Sequence, residues 1–255
     1  MSIIAIANQK GGVGKTTLTV HLAYWLARQG RKVIIVDADP QGNATSWARD
    51  NDMSVDGMWR VLVGREPVSA AVQASKWENV SILPGNGTTG EAMVVMATLR
   101  RDFDTISKAL RPLNAMADYV LIDMPPSRAA GFHETLYAAD YLLIPTQLER
   151  LSIQGVSLMA DTVNLLAKEF GQAPTLLGVI PNMVRMNTSE HQENLRVLAN
   201  GFGALVWPPV PLTVRLAEAS AYGETIFTTE PTSVSTQALA GIGQRILSNL
   251  EGDLK

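Results

Sequence analysis

Two lysines flank a glycine-rich segment near the start of the chain, and their spacing indicates chemistry on phosphate groups. The segment reads K-G-G-V-G-K-T-T over residues 10–17. Its glycines let backbone N–H groups turn toward phosphate oxygens, and a helix that starts there adds partial positive charge. Lys15 is expected to bridge the β- and γ-phosphates, and the Thr16 hydroxyl to ligate Mg²⁺. The segment therefore predicts a site for a nucleoside triphosphate with magnesium.

The segment departs from the common phosphate-binding loop at two positions. The pattern G-x-x-x-x-G-K-[ST] places glycine where this chain has Gln9, and it asks for no lysine at Lys10. An ordinary glycine-rich turn is the alternative for the segment, and a solvated surface lysine is the alternative for Lys10. The apolar run before the segment and the helical periodicity after it favour the phosphate loop.

Three aspartates follow apolar runs that are typical of buried strands. Asp123 ends the run Y-V-L-I-D, and Asp37 and Asp39 lie in V-D-A-D-P-Q-G-N. Asp123 at a strand end is expected to hold Mg²⁺ through water, and Asp37 and Asp39 are expected to face the same cavity. Carboxylates beside a γ-phosphate repel it unless a cation is present, so a metal and an oriented water are the natural explanation. The alternative for Asp39 is turn or capping chemistry with Pro40 and Gly42.

Short apolar runs alternate with helical periodicity along the whole chain. The expected strands cover residues 2–7, 32–36, 80–83, 119–122, 141–144 and 176–180, and helical stretches follow the phosphate loop up to Gly30 and cover 91–110, 151–170, 189–200 and 234–250. This alternation predicts an α/β fold, a doubly wound and mostly parallel sheet with helices on both faces. No repeat or linker interrupts it, so a single domain over residues 1–255 is expected. Ligands of such sheets bind at the carboxyl ends of the strands, where the candidate residues lie.

Composition excludes several classes of site. The chain has 255 residues, 46% of them hydrophobic and 18% charged, with a net charge of −3 and no cysteine. Disulfides, thiolate metal sites and cysteine nucleophiles are thereby excluded. The three histidines lack ligand spacing. Without a leader-like start or a long apolar run, a soluble cytoplasmic protein is expected.

Together the segments 10–17, 37–43 (D-A-D-P-Q-G-N), 119–127 (Y-V-L-I-D-M-P-P-S), 142–155 (L-L-I-P-T-Q…S-I-Q-G) and 210–219 (V-P-L-T-V-R-L-A-E-A) resemble the ParA/MinD family of deviant Walker A ATPases. The motifs span most of the chain in the family's order. The chain is most similar to short ParA proteins that lack an N-terminal helix-turn-helix domain. The resemblance implies a P-loop NTPase fold, the cofactors ATP and Mg²⁺, and slow, partner-stimulated hydrolysis.

The resemblance also implies roles for individual residues. Lys10 would cross a two-fold interface to the phosphates of the other subunit, so that a homodimer sandwiches two ATP molecules. Asp39 would orient the attacking water, and residues 40–45 and 123–131 would form the two switch segments. The implied catalytic residues are Lys10, Lys15 and Asp39, and the implied metal ligands are Thr16, Asp39 and Asp123. The implied nucleotide contacts are Lys10, Gly11, Gly12, Val13, Gly14, Lys15, Thr16 and Thr17, with Asn182 bonded to adenine and Pro211 beside its ring.

Partners follow from the same resemblance. ParA-like dimers bind double-stranded DNA without sequence preference, and Arg185 and Arg215 match the positions of DNA-contacting residues. Solvated or structurally paired arginines are the alternative. A ParB-like or other cargo-adaptor protein would stimulate hydrolysis, and the ATP-bound form would associate with the nucleoid. The C-terminal helix contributes one Arg, followed by E-G-D-L-K, and has no aromatic anchor, so no membrane partner is expected. The alternative function is a DNA-independent positioning or assembly switch, and no role is assigned to Arg128.

Overall fold

The computed structural model describes residues 2–99, 101–126 and 129–252. Seven strands lie within these residues: β1 (Ser2–Ile6), β2 (Val33–Asp37), β3 (Gln73–Ala74), β4 (Val80–Leu83), β5 (Tyr119–Asp123), β6 (Tyr141–Thr146) and β7 (Thr175–Pro181). They form one sheet in the order β3-β4-β2-β5-β1-β6-β7. All neighbouring pairs are parallel except β3 and β4, and β1 lies between β5 and β6.

Twelve α-helices connect and flank the strands in the same ranges of the chain. They are α1 (Lys15–Arg28), α2 (Asn43–Ala48), α3 (Gly57–Leu62), α4 (Val68–Ala71), α5 (Gly87–Thr98), α6 (Thr105–Leu110), α7 (Phe132–Tyr137), α8 (Arg150–Phe170), α9 (Ser189–Phe202), α10 (Val214–Ala221), α11 (Ile226–Thr229) and α12 (Val234–Glu251). Single 3-10 turns cover Arg111–Ala115 and Gly203–Leu205. None of the described helices is long and apolar enough to cross a bilayer.

Strand β1 is buried on both faces, as its continuous apolar sequence predicts. Its alternate residues point into two separate cores: Ile3 and Ala5 pack with apolar residues of α3 and of helices α5 to α9, whereas Ile4 and Ile6 pack with α1, α2 and α12. Helices therefore cover both faces of the sheet. The predicted α/β doubly wound fold is confirmed.

The prediction of one continuous helix over residues 91–110 is wrong. Helix α5 ends at Thr98, and α6 begins only at Thr105. The Arg101 N–H donates to Met96 O at 3.2 Å, which closes the end of α5. The Phe103 ring stacks on the Phe170 ring of α8, with centroids 3.8 Å apart. A tertiary contact thus outweighs the local helical periodicity, and it breaks the stretch in two.

Candidate active site

The phosphate loop borders a cavity of about 480 Å³ at the carboxyl ends of β1, β2 and β5. Its lining combines the loop with the segments that follow the two neighbouring strands. The lining residues are Gly11, Gly12, Gly14, Lys15, Thr16, Thr17, Asp39, Pro40, Gln41, Asn43, Pro126, Ala129 and Met183. Most residues expected to contact phosphates thus lie in one concave space. The volume lies within the range usual for small-molecule sites.

Gly14 is the glycine of the loop with the least room for a side chain. Its φ is +91°, and a Cβ built there would lie 2.2 Å from the amide nitrogen of Asn182. That amide donates to the Val13 carbonyl at 2.8 Å, while the Val13 side chain is fully buried. The close approach of Asn182 therefore holds the loop directly before α1 begins.

Lys15 lies in the first turn of α1 and is 7% exposed. Burial lowers its pKa, and the carboxylates of Asp123 and Asp39 counteract that shift. The buried ammonium group can exchange its interaction with these two carboxylates for one with the phosphates of a nucleotide, which carry more negative charge. This environment is consistent with a lysine that contacts phosphate.

Thr16 and Asp123 offer oxygen ligands that fit Mg²⁺. The Thr16 hydroxyl donates to Asp123 Oδ2 at 2.7 Å, and Asp123 Oδ1 is buried with no hydrogen-bond partner among the described residues. Burial, and then the negative charge of Asp37, raises the pKa of Asp123 well above its usual range. An orphaned buried carboxylate oxygen beside a hydroxyl suits a hard cation. Thr16, Asp123 and the cavity-lining Asp39 would hold the ion, which neutralises charge on the phosphates when bound.

A site built by protein carboxylates alone is not present in the part of the chain that the structure covers. No group of three or more His, Cys, Asp or Glu side chains there could hold a metal ion. In ATPase sites Mg²⁺ is commonly held by one or two carboxylates together with oxygens of the nucleotide phosphates.

Asp37 differs from the sequence-based expectation that it faces the cavity. Its side chain is fully buried and accepts hydrogen bonds from the backbone N–H and the hydroxyl of Thr45. Burial raises the pKa of Asp37 to about 7, although the hydrogen bonds from Thr45 act in the opposite direction. Asp39 is half-buried at the cavity, and its Oδ1 accepts from the Gln41 N–H at 2.9 Å. Only the second aspartate of the motif lines the cavity, and Asp37, like Asp123, is fully buried behind it.

Lys10 folds against its own chain at the mouth of the loop. Its Nζ donates to Glu149 Oε2 at 2.6 Å, to Gln147 Oε1 at 3.0 Å and to Ser152 Oγ at 3.1 Å. The lysine holds the pKa of the Glu149 carboxyl below its usual value. In the single chain, the second lysine is thus retained at the start of α8 instead of pointing into solvent. Sequence reasoning missed these partners, although Gln147 lies in the quoted segment L-L-I-P-T-Q.

A second cavity of about 350 Å³ adjoins the first at Thr17 and Met183. It is lined by Asn182, Pro211 and Leu212 together with residues of α10. Asn182 is 3% exposed, and an amide keeps further donor and acceptor capacity beyond its bond to the loop. The structure thus brings the two residues expected to contact adenine together, next to the phosphate cavity.

The two arginines expected to contact DNA differ in their surroundings. Arg215 pairs with Glu218 at 2.9 Å and with Glu230 at 3.3 Å, so two carboxylates surround one guanidinium. Arg185 is exposed and makes no ion pair within the described residues. Arg128 lies outside the described residues. Of the two, Arg185 has the charge more readily available to a polyanion.

His21 connects α1, the helix that follows the phosphate loop, to the start of α11. Its Nδ1–H donates to Thr17 O at 2.7 Å, and its Nε2 accepts from the Ile226 N–H at 3.0 Å. Burial lowers its pKa to about 4, so the ring is neutral at physiological pH. The bonds fix one tautomer and tie α1 to the start of α11.

Comparisons with known proteins agree with this geometry. A family model described as an AAA domain matches residues 1–175. The sporulation initiation inhibitor protein Soj of Bacillus subtilis is 32% identical over 97% of this chain and 98% of its own. The chromosome-partitioning ATPase Soj of Thermus thermophilus is 34% identical over 97% and 96% of the two chains.

Solved structures give the same picture of the fold. Cobyrinic acid a,c-diamide synthase of Mycobacterium smegmatis, solved with an ATP analogue and magnesium, is 28% identical with a TM-score of 0.82 and covers 99% of this chain and 97% of its own. Apo McdA of Cyanothece has a TM-score of 0.86 at 24% identity, covering 96% of this chain and 99% of its own.

Proposed function

The chain belongs to the ParA/MinD family of ATPases and uses ATP with Mg²⁺, and on that premise we propose that it partitions plasmid or chromosomal DNA or positions another cargo. ATP binding makes a homodimer that binds double-stranded DNA without sequence preference. A ParB-like protein or another cargo adaptor stimulates a slow intrinsic hydrolysis and releases the dimer. The protein acts in the cytoplasm, associated with the nucleoid while ATP is bound.

The observation that carries the proposal is the placement of the two lysines. Lys15 is buried at the phosphate cavity, whereas Lys10 lies at the rim with 39% of its side chain exposed. A single nucleotide is already served by Lys15 and the loop amides, so a second cation at the rim suits phosphates presented by another subunit. In the proposed dimer, Lys10 leaves Glu149 and stabilises charge on the partner's ATP, as a trans-acting arginine does in other NTPases.

The proposed hydrolysis assigns one task to each group of the chain. Lys15 binds the β- and γ-phosphates, and Asp39 orients the attacking water. Thr16 and Asp123 hold the metal, which neutralises charge when bound. Asn182 and Pro211 contact adenine in the second cavity. Catalysis of this kind depends on positioning and electrostatics more than on covalent chemistry.

DNA binding by the proposed dimer requires a basic surface. The net charge is −3, so attraction must come from a local surface that the dimer doubles. Arg185 is a good candidate, and Arg215 contributes only if it leaves its two carboxylates. The paired state of Arg215 favours a second candidate function, in which the dimer positions a protein assembly without DNA.

The dimer is tested with Lys10→Ala, which should fold and retain part of its ATP affinity but form no ATP-dependent dimer. Lys168→Ala removes an exposed lysine from α8 and serves as the matched control. Light scattering with Mg²⁺ and a non-hydrolysable ATP analogue gives the readout. An unchanged dimer in the Lys10 variant would refute the trans assignment.

The DNA partner is tested by gel shift with unrelated duplexes at two salt concentrations. Binding should require ATP, ignore sequence and weaken with a log–log slope set by about four to eight neutralised phosphates. Arg185→Glu should lose DNA while it still dimerises, and Arg65→Glu, an exposed loop variant between α3 and α4, should not. If the wild-type ATP-bound dimer shifts no duplex at low salt, the DNA-independent switch becomes the better assignment.

A further inference from the structure

A buried hydrogen-bonded cluster lies directly behind the segment that carries Asp39. Thr45 donates its backbone N–H at 2.8 Å and its hydroxyl at 2.7 Å to the same oxygen of Asp37, Oδ2. The Thr45 hydroxyl also accepts from the Gly85 N–H at 2.9 Å. Asp37 and Thr45 are both fully buried. One hydroxyl therefore joins the ends of β2 and β4 to the first turn of α2.

The geometry around Gly85 shows how tightly the cluster is built. A Cβ added at Gly85 would lie 2.1 Å from the Asp37 carbonyl oxygen. A Cβ at Gly42, which has a φ of +64°, would lie 2.6 Å from the Gly85 carbonyl oxygen. The loop after β4 therefore packs backbone to backbone against the segment 37–42 and leaves it little room to move.

The cluster holds both ends of the segment that carries Asp39. Asp37 and Thr45 fix the two ends of the segment 37–45, and the Asp39 N–H points to Asp37 Oδ1 at 3.3 Å. Asp39, Gln41 and Asn43 from this segment line the phosphate cavity, whereas Asp37 and Thr45 do not. The cluster thus acts on the cavity only through the residues it holds.

We propose that Thr45 is a positioning residue for ATP hydrolysis: its hydroxyl, held between Asp37 and Gly85, sets the position of Asp39 over the phosphate cavity. The inference rests on the proposed role of Asp39 in orienting water. The hydroxyl is the specific requirement, because it is the single group that contacts both the Asp37 carboxylate and the Gly85 N–H. A valine of the same shape would keep the packing, leave the Gly85 N–H without its acceptor and remove one donor from Asp37.

A positioning role and a merely structural one predict different kinetics. Thr45 does not line the cavity, so its loss should leave nucleotide affinity intact and lower the rate of the chemical step, which is sensitive to small displacements. A structural defect would instead lower stability, affinity and rate together. Serine restores the hydroxyl without the methyl group, so rescue by serine isolates the hydrogen bonds from the packing.

The experiment compares Thr45→Val with Thr45→Ser in single-turnover ATP hydrolysis, together with the Kd for a non-hydrolysable ATP analogue. Valine should slow hydrolysis by about tenfold or more and change Kd by less than about twofold, and serine should stay within about threefold of wild type. Thr135→Val is the matched control, because Thr135 is buried and its hydroxyl has no partner among the described residues. If Thr45→Val fails to fold, Thr45→Ala against Thr45→Ser makes the same comparison.

Three outcomes overturn the inference, and Asp39→Ala measured in parallel distinguishes the first two. If Asp39→Ala is slow but Thr45→Val hydrolyses at the wild-type rate, the positioning role of Thr45 is refuted and the proposed function stands. If Asp39→Ala itself hydrolyses at the wild-type rate, the assignment of Asp39 fails, and the inference fails with it. Equal loss in the valine and serine variants would show that packing, not the hydroxyl, matters.

Discussion

The ion pair between Lys10 and Glu149 should oppose the ATP-dependent dimer, and Glu149→Gln measures by how much. The proposed dimer removes Lys10 from Glu149 in each subunit. The two side chains are 39% and 55% exposed, so solvent screens the pair. Such a pair contributes about 0.2–1 kcal/mol, and two subunits together lose about 0.4–2 kcal/mol on dimerisation. Glutamine removes most of that opposition, and the dimer Kd should fall by about 2- to 30-fold.

Sedimentation velocity across a protein concentration series, with Mg²⁺ and a non-hydrolysable ATP analogue, gives this Kd directly. Glu169→Gln makes the same charge change on the exposed surface of α8 and should leave the Kd unchanged. The difference should shrink at high salt, because the pair is exposed. A Glu149→Gln dimer that is equally stable or weaker would refute the reasoning. It would mean that Lys10 keeps its partner in the dimer, or that it never crosses.

Three further predictions concern the loop and its helix. Folding lowers the pKa of His21 from 6.5 to about 4, so the free energy of unfolding decreases as pH falls from 6.5 through 4, by about 2 kcal/mol at pH 5. Urea unfolding of His21→Gln should not show this decrease. Lys15→Ala should abolish productive ATP binding in calorimetry, and retained wild-type affinity would contradict its assignment. Gly14→Ala should also lose ATP, since the new Cβ would meet the Asn182 amide at 2.2 Å; unchanged binding would show that the loop relaxes.

The sequence predicted most of the sheet because its strands are buried on both faces and read as continuous apolar runs. Each of the six expected strands is found within two residues of its predicted ends. The two-residue strand β3 is different, since a pair such as Gln73–Ala74 carries no periodicity and forms only by pairing with β4. The short helices α2, α3 and α4 were missed for the same reason: none is long enough to show a period.

The site was predictable where it is continuous in sequence and not where it depends on distant partners. Residues 10–17 follow a strand and open a helix, so their local structure could be read from the sequence. The contact of Lys10 with Glu149 joins residues far apart along the chain, and no local pattern indicates it. Asp37 and Asp39 look equivalent in the sequence, but the backbone N–H and the hydroxyl of Thr45 hold the Asp37 carboxylate behind the cavity, whereas Asp39 lies beyond the end of β2 and lines it.

The position of β1 between β5 and β6 affects how the protein folds during synthesis. Ser2 pairs with Tyr119 and Ile4 with Tyr141, so β1 gains its two neighbours only after strands that lie more than 100 residues further along the chain have been synthesised. Contacts this distant in sequence slow folding, and they leave an apolar strand without partners in the nascent chain. A chain stopped before β6 contains the whole phosphate loop, but β1 then lacks one of its two neighbours. Nucleotide can therefore stabilise the complete sheet only after β6 has been synthesised.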